Sequence, residues 1–396
     1  MAGVHYRIEE EVQGLTWKPT GPVLMTADPI GGVWSYVLEL CRELGKTDVN
    51  VALATMGRRL SDSERSAVHR MTNVELFESD YKLEWMREPW YDLEKAGQWL
   101  LDLEARIRPS LVHLNEYCHG ALHWRVPCLV VGHSCVLSWF ESVKAVPAGG
   151  EWLRYQQMVK NGLSGADLVT APSRFMLSAL RKIYGGFAAA NPIYNGRRPA
   201  DFPASNKEPF LLTAGRLWDE AKNIIALRPI AADIPWPIYA AGESQNPDGS
   251  LIRLDGLIEL GRLDFEALAR WYARASIFVL PARYEPFGLS VLEAALAGCA
   301  LVLGDIPSLR EIWTDAAVFV PCDDPGKLRG ELTALVENSA FRDYLSRRAR
   351  ARASSLTSER MGQQYLQLYE TLLSGRRQTV ADDLGSLQAE KPDLSL

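Results

Sequence analysis

Along the chain, short apolar runs alternate with amphipathic stretches. GPVLMTAD (21–28), NVALATMG (50–57), LVHLNEY (111–117), PCLVVGHS (127–134) and DLVTAPS (167–173) read as strands. The stretches 33–44, 92–107, 151–164 and 174–184 carry the helical period. The alternation pauses at FAAANPIYNGRRPADFPASNKEP (187–209), which is rich in Pro, Asn and Ala and weakly periodic. It then restarts with strands FLLTAG (210–215), PIYAAG (237–242), SIFVLP (276–281), ALVLGD (300–305) and AVFVP (317–321). Helices are expected at 221–233, 264–275, 288–298 and 325–350, and a last one from an N-cap at Ser358 to Leu373.

Strands that are apolar throughout, separated by helices, imply parallel sheets covered on both faces, an α/β class. Two doubly wound domains are predicted, 1–190 and 209–355, joined by a linker at 191–208. The helix at 356–373 follows, and 374–396 reads as a disordered polar tail. Facing domains would bring the carboxyl ends of both sheets onto a central cleft, where ligands of open α/β sheets bind.

The length of 396 residues agrees with two domains, and 47% hydrophobic against 23% charged residues is a soluble composition. The net charge of −6 argues against nucleic acid as a partner. The opening MAGVHYRIEEEVQG has no apolar core, so no signal peptide is expected, and no run is long enough to span a bilayer. A cytoplasmic protein is the expectation. Arg342, Arg347, Arg348, Arg350 and Arg352 leave peripheral membrane contact open, with a solvated face favoured. The six cysteines form no CxxC pair, and the histidines other than His133 form no metal constellation. No P-loop, no G-x-S-x-G elbow and no Asp-x-Asp metal motif is found.

Candidate chemistry gathers at strand ends. In ARYEPFGLSVLEAALAGCALV (282–302), Glu285 sits in a loop, Gly288 opens a helix, and Glu293 is that helix's only charge. A helix start offers free N–H groups to a phosphate, and carboxylates accept from hydroxyls. Phosphate plus hydroxyls describes a nucleotide-sugar. In TADPIGGVW (26–34), Gly31 and Gly32 let the backbone approach a ligand, though an ordinary tight turn explains them equally well. In LTAGRLWDEAKN (212–223), Arg216 and Lys222 are placed to neutralise a diphosphate, or are solvated cations paired with Asp219 and Glu220. His133 ends a buried strand. The aromatic segments 81–93 and 139–155 are candidate acceptor walls that ordinary packing explains as well.

Taken together, EPFGLSVLE (285–293), GGVW (31–34), GRLWDEAKN (215–223), SRFM (173–176) and NGRRPADF (195–202) resemble the retaining glycosyltransferases of family 4. In the last motif, Arg198 or Pro199 stands where an Asp is common in that family. The resemblance implies the GT-B fold, two Rossmann-like domains facing a cleft. It implies that Gly31 and Gly32 approach the donor or acceptor, and that Arg216 and Lys222 hold the diphosphate. Gly288 and Leu289 would donate backbone N–H groups to it, with Phe287 in the same donor-binding stretch. Glu285 would bind the transferred sugar, Glu293 the ribose, and His133 the sugar near the reaction centre. No metal and no cofactor are implied beyond the nucleotide-sugar co-substrate. The acceptor would be a carbohydrate, a glycolipid or a small molecule. A nucleotide-sugar-binding protein or an epimerase on the same fold is the alternative.

Overall fold

The computed structural model describes residues 20–246 and 249–389. The segment examined for a signal peptide lies outside them. In the N-terminal half, β1 (Val23–Ala27), β2 (Val51–Thr55), β3 (Val74–Glu78), β4 (Leu111–Leu114), β5 (Cys128–Val131) and β6 (Leu168–Thr170) form one parallel sheet. Helices α1 (Gly32–Gly45), α2 (Asp62–His69), α3 (Trp90–Ile107), α4 (Val136–Trp139), α5 (Leu153–Gly165) and α6 (Arg174–Tyr184) cover it. The second half repeats the scheme with β7 (Glu208–Ala214), β8 (Ile238–Ala241), β9 (Ile258–Gly261), β10 (Ala275–Leu280), β11 (Ala300–Gly304) and β12 (Val318–Val320). Its helices are α7 (Phe265–Arg274), α8 (Leu289–Leu296), α9 (Pro307–Trp313), α10 (Pro325–Glu337) and α11 (Ser339–Ala353). The last helix is α12 (Ser358–Ala389).

The strand orders are β3-β2-β1-β4-β5-β6 and β12-β11-β10-β7-β8-β9. Counted from each domain's first strand these are the same order, the doubly wound 3-2-1-4-5-6 of Rossmann-like domains. The order reverses between β1 and β4, and between β7 and β10, which places a crevice above each of those strand pairs.

Both strands absent from the sequence expectations, β3 and β9, are sheet edges with mostly half-buried or exposed residues. An edge strand lacks the continuous apolar run that marks a central one. The stretch 221–233 forms a 3-10 helix at Ile224–Asp233 rather than an α-helix, because Pro229 lies within it and cannot donate. The single helix expected at 325–350 is two, because the Asn338 side chain accepts from Phe341 N at 3.0 Å and starts a new helix. The tail expected to be disordered continues α12 to Ala389, since 374–389 contains no proline to end it. Residues 390–396 lie outside the described residues.

After the second domain, α12 returns to the first. Met361, Tyr365, Leu366 and Tyr369 are buried with Tyr36, Val37, Leu40 and Leu44 of α1. His113 on β4 holds Tyr369 Oη through Nδ1 at 2.6 Å and Tyr36 Oη through Nε2 at 3.3 Å. The linker and the approach to α12 run side by side. Arg197 N donates to Leu356 O (3.1 Å) and Ser358 N to Arg197 O (3.1 Å).

A seam joins the domains along α6 and α9. Ser173 caps α6, accepting from Met176 N (3.2 Å), and donates to Pro286 O of the other domain (2.7 Å). Glu311 on α9 accepts from Arg174 N (2.8 Å) and Phe175 N (2.9 Å), a carboxylate at a helix N-terminus. Tyr284 lies in the first domain's core, its hydroxyl against Ser138 Oγ (2.7 Å) and Cys135 N (3.2 Å).

Of the five arginines at 342–352, Arg342, Arg348 and Arg352 donate to the carbonyls of Leu335, Asp315 and Ile312. They serve the protein's own fold. Among the described residues no helix is long and apolar enough to cross a membrane.

Tyr369→Phe leaves one nitrogen of the buried His113 without its partner. The expected cost is about 1–3 kcal/mol, read as a lower urea midpoint. An unchanged midpoint would show that the hydroxyl does not secure α12.

Candidate active site

The loops at the switch points bring the sequence-derived residues to the cleft from both sides. Asp28 directly follows β1, and Gly31, at φ 83°, caps α1. That left-handed backbone suits glycine, and a Cβ there would stand 3.7 Å from Arg216 Nη1 of the other domain. A Cβ on Gly32 would stand 3.5 Å from Leu289 Cδ1. The Gly-Gly loop therefore faces the arginine after β7 and the first residue of α8.

Arg216 is held in place from its own loop. Asp219, itself buried, accepts from Nη2 at 2.6 Å and from Nε at 3.1 Å, and the guanidinium lies 5.4 Å from the Trp218 ring centre. Half its side chain remains exposed toward the cleft. Lys222 pairs with Glu285, so two groups with separate expected roles hold each other here. The Glu285 carbonyl accepts from Ser308 Oγ at 2.6 Å, which fixes the loop before α8. Gly288 caps α8 at φ 91°, a second position where the backbone itself demands glycine. The α8 N-terminus thus opens beside Leu289 and Gly32.

Two residues of the predicted donor-binding stretch are engaged by the protein itself. Phe287 is 3% exposed and packs into the second core beside Tyr194, so its side chain is not offered to a donor. Glu293 is buried, and its charge is answered by Arg197 Nε on Oε1 at 2.8 Å. Arg197 Nη1 also donates to Ser35 O on α1 at 3.3 Å. One linker guanidinium thereby connects α8 with the N-terminal domain. Nothing in the sequence marked Arg197 as buried, since adjacent arginines usually read as solvated.

His133 follows β5. Asn115 Nδ2 donates to Thr26 O (2.7 Å), so Asn115 Oδ1 is the acceptor that faces His133 Nε2 at 2.8 Å. The proton is thereby assigned to Nε2, leaving Nδ1 as an acceptor. The Tyr36 ring meets the imidazole edge-on at 4.7 Å. Burial lowers the pKa of His133 to about 3, so the ring is neutral at physiological pH. The aromatic segments named as candidate walls are mostly packing. Trp139, Phe140, Trp152 and Tyr155 form a chain of ring contacts at 5.2–6.0 Å, and Arg154 covers Trp90 at 4.3 Å.

Two acidic features escaped the sequence reading. Asp28 accepts from Ile30 N at 2.8 Å. Burial raises its pKa to about 7, against the opposing pull of that N–H, Arg216 and Arg58. Its place at the end of β1 was the available signal, because strand carboxyl ends are where such folds put chemistry. Behind the cleft, Glu84, Glu116, Cys118 and His119 cluster in the interior. Burial and Glu116 push Glu84 up to about 7. Burial alone would lower His119, but Glu116 outweighs it and holds the ring near 9.

The matches to known proteins follow the two domains. Residues 30–200 match glycosyltransferase family 4, and residues 199–352 match the glycosyl transferases group 1. The chain is 29% identical over 278 residues to glycogen synthase of Mycobacterium tuberculosis, covering 64% of this chain and 65% of that protein. It is 26% identical over 248 residues to O-antigen chain mannosyltransferase B of Escherichia coli, covering 56% and 65%. The chain thus spans about 65% of the length of these curated relatives. Sucrose-phosphate synthase from Thermosynechococcus elongatus shares the fold at a TM-score of 0.75 and 20% identity, over 90% of this chain and 100% of that one. Anabaena HepE in complex with UDP-glucose shares it at 0.72 and 16%, over 89% and 100%.

Asp28 gives the site a signature in stability. A carboxyl whose folded pKa is raised stabilises the fold while protonated, and that contribution is lost as pH climbs from about 4 through about 7. Asp28→Asn, uncharged throughout, is expected to gain on the wild type over that interval in urea melts. Parallel pH profiles would disprove the raised pKa.

Proposed function

The chain belongs to glycosyltransferase family 4, and from that premise we propose that it moves a hexose from a nucleotide-sugar to an acceptor hydroxyl, with retention at the anomeric carbon. The observation that carries this reading is the meeting of Gly31 and Gly32 with Arg216 and Leu289 across the cleft, beside the Lys222–Glu285 pair. Two cations, a helix N-terminus and a carboxylate, arranged around backbone without side chains, suit a sugar diphosphate.

As the glycosidic bond breaks, negative charge grows on the diphosphate while the sugar becomes oxocarbenium-like. Arg216, Lys222 and the N–H groups at the start of α8 meet that charge. Lys222 is shared with Glu285 before the donor arrives. Donor entry would turn the ammonium toward phosphate and free the carboxylate for the sugar hydroxyls. Glu293, steadied by Arg197, would take the ribose hydroxyls. Neutral His133 would accept from a sugar hydroxyl through Nδ1, which an imidazolium could not do. The departing phosphate takes the acceptor proton on the same face, so no protein carboxylate acts as nucleophile. The cations replace a divalent ion.

For the donor we favour a UDP-glucose type, in keeping with the UDP-glucose named for the HepE complex, with a GDP-mannose type next. The acceptor is a carbohydrate or glycolipid meeting the N-terminal domain, in keeping with relatives named for glycogen and O-antigen chains, and the setting is polysaccharide or glycoconjugate biosynthesis.

A thermal-shift screen against UDP-, GDP- and ADP-sugars identifies the donor, because a ligand of the native state raises the melting temperature. With that donor, Arg216→Ala and Lys222→Ala are each expected to lose about 3 kcal/mol of transition-state stabilisation, roughly two orders of magnitude in transfer rate. Wild-type rates in both variants would remove them from the diphosphate site. Proton NMR of the product is expected to show the donor's own anomeric configuration, at a rate indifferent to EDTA and added magnesium. An inverted product, or activity that only magnesium restores, would overturn the mechanism.

A further inference from the structure

The loop after β4 folds side chains of metal-binding type onto one point. Glu116, Cys118 and His119 each present a ligand atom, all buried and within 4.8 Å of one another. His119 Nδ1 lies 3.0 Å from Glu116 Oε1, and Cys118 Sγ lies 3.6 Å from both His119 Nδ1 and Glu116 Oε2. A tetrahedral zinc ion, with Zn–S of ~2.3 Å and Zn–N or Zn–O of ~2.0–2.1 Å, sets ligand-to-ligand edges of roughly 3.3–3.6 Å. The sulfur-to-nitrogen edge of 3.6 Å matches that frame, and the carboxylate meets the ring nitrogen through one oxygen and the sulfur through the other, so a small rotation would present a single oxygen to the ion.

Two independent features point to a ligand at this place. Glu116 Oε1 is buried and accepts no hydrogen bond, despite lying 3.0 Å from a ring nitrogen. The neighbouring ring supplies the counter-charge for that oxygen, and a divalent ion bound between them would take over that role. The far nitrogen of the same ring, His119 Nε2, donates to Leu93 O at 3.0 Å. That bond fixes the ring and turns Nδ1 toward Glu116 and Cys118, so that loss of the Nδ1 proton on binding would present its lone pair to the ion. Glu84 borders the cluster, its carboxylate accepting from Tyr117 N (2.9 Å) and Cys118 N (3.1 Å).

We propose that Glu116, Cys118 and His119 form a structural zinc site, with Glu84 the adjacent carboxylate available to the fourth position. The mixed sulfur, nitrogen and oxygen set selects zinc over magnesium or calcium. Binding releases the thiol proton of Cys118, and the ring proton of His119 where it is charged, to solvent. The ion would pin the loop between β4 and β5, which is tied to the segment after His133 through Tyr117 Oη on Ser134 O at 2.7 Å. Its role is to stiffen the N-terminal wall of the cleft, apart from the transfer step.

The test uses the full chain, grown in zinc-supplemented medium and purified without chelators or a histidine tag. Elemental analysis is expected to find about one zinc per chain, falling below about a tenth in Cys118→Ser and Glu116→Gln. Cobalt(II) titrated into stripped wild-type protein is expected to give a thiolate-to-cobalt charge-transfer band. That band should vanish in Cys118→Ser and persist in Cys322→Ser. Wild-type protein that holds less than about a tenth of an equivalent and shows no thiolate band overturns the proposal. So does a band that survives Cys118→Ser. If the Cys118 variant does not fold, the wild-type cobalt spectrum and the protons released on zinc addition decide the matter alone.

Discussion

A guanidinium buried to 3% exposure must be paired, and the pairing of Arg197 governs how the two halves of this molecule meet. Its Nε answers Glu293 on α8, its Nη1 reaches Ser35 O on α1, and its backbone bonds to Leu356 and Ser358. The linker, α8, α1 and the root of α12 are thus fixed to one side chain. Removing one partner of such a pair leaves an uncompensated charge, so neither residue is free to vary alone. The same domain arrangement, held also by the α6–α9 seam, sets Gly32 against Leu289 and Gly31 against Arg216.

The central strands were legible because they are buried on both faces and therefore apolar from end to end. β3 and β9 were not, because they are edges whose residues are mostly half wetted, whereas the other two edges, β6 and β12, keep short apolar runs. Boundaries set by one residue's local chemistry were also hidden, as at Asn338, which ends one helix and caps the next, and at Pro229, which tightens a helix to 3-10. In the site, Arg216, Lys222, Glu285 and Gly288 were legible from motif order. Asp28 was visible only through its strand-end position, and Arg197 was quoted as part of a linker without any sign of its burial. Glu116, Cys118 and His119 carry no recognised spacing, and only the turn after β4 folds them together. Phe287 shows the opposite error, a residue inside the right motif whose side chain faces the core.

The electrostatics of the cleft divide by domain. The C-terminal side brings cations and a helix N-terminus, suited to phosphate. The N-terminal side is kept nearly uncharged, with His133 and His113 both lowered to about 3 by burial and Asp28 raised to about 7. A wall with little charge offers hydrogen-bond partners to hydroxyls without drawing Arg216 away from an anionic ligand.

The two passages of the chain between domains, at Arg197 and at Thr357, are hydrogen-bonded to each other. Two separated passages would clamp the halves at both ends, whereas two adjacent ones act as a spindle. The passages alone would leave one axis about which to turn, and the seam along α6 and α9, with Tyr284 buried in the first domain's core, holds the halves together away from it. Outlying contacts such as Lys144 with Glu220 and Arg262 with Glu64 are surface ion pairs that cost little to part. The spindle, by contrast, contains the buried Arg197. The molecule is therefore stiff at its pivot and pinned again at the α6–α9 seam, and only its outlying ion pairs are cheap to part.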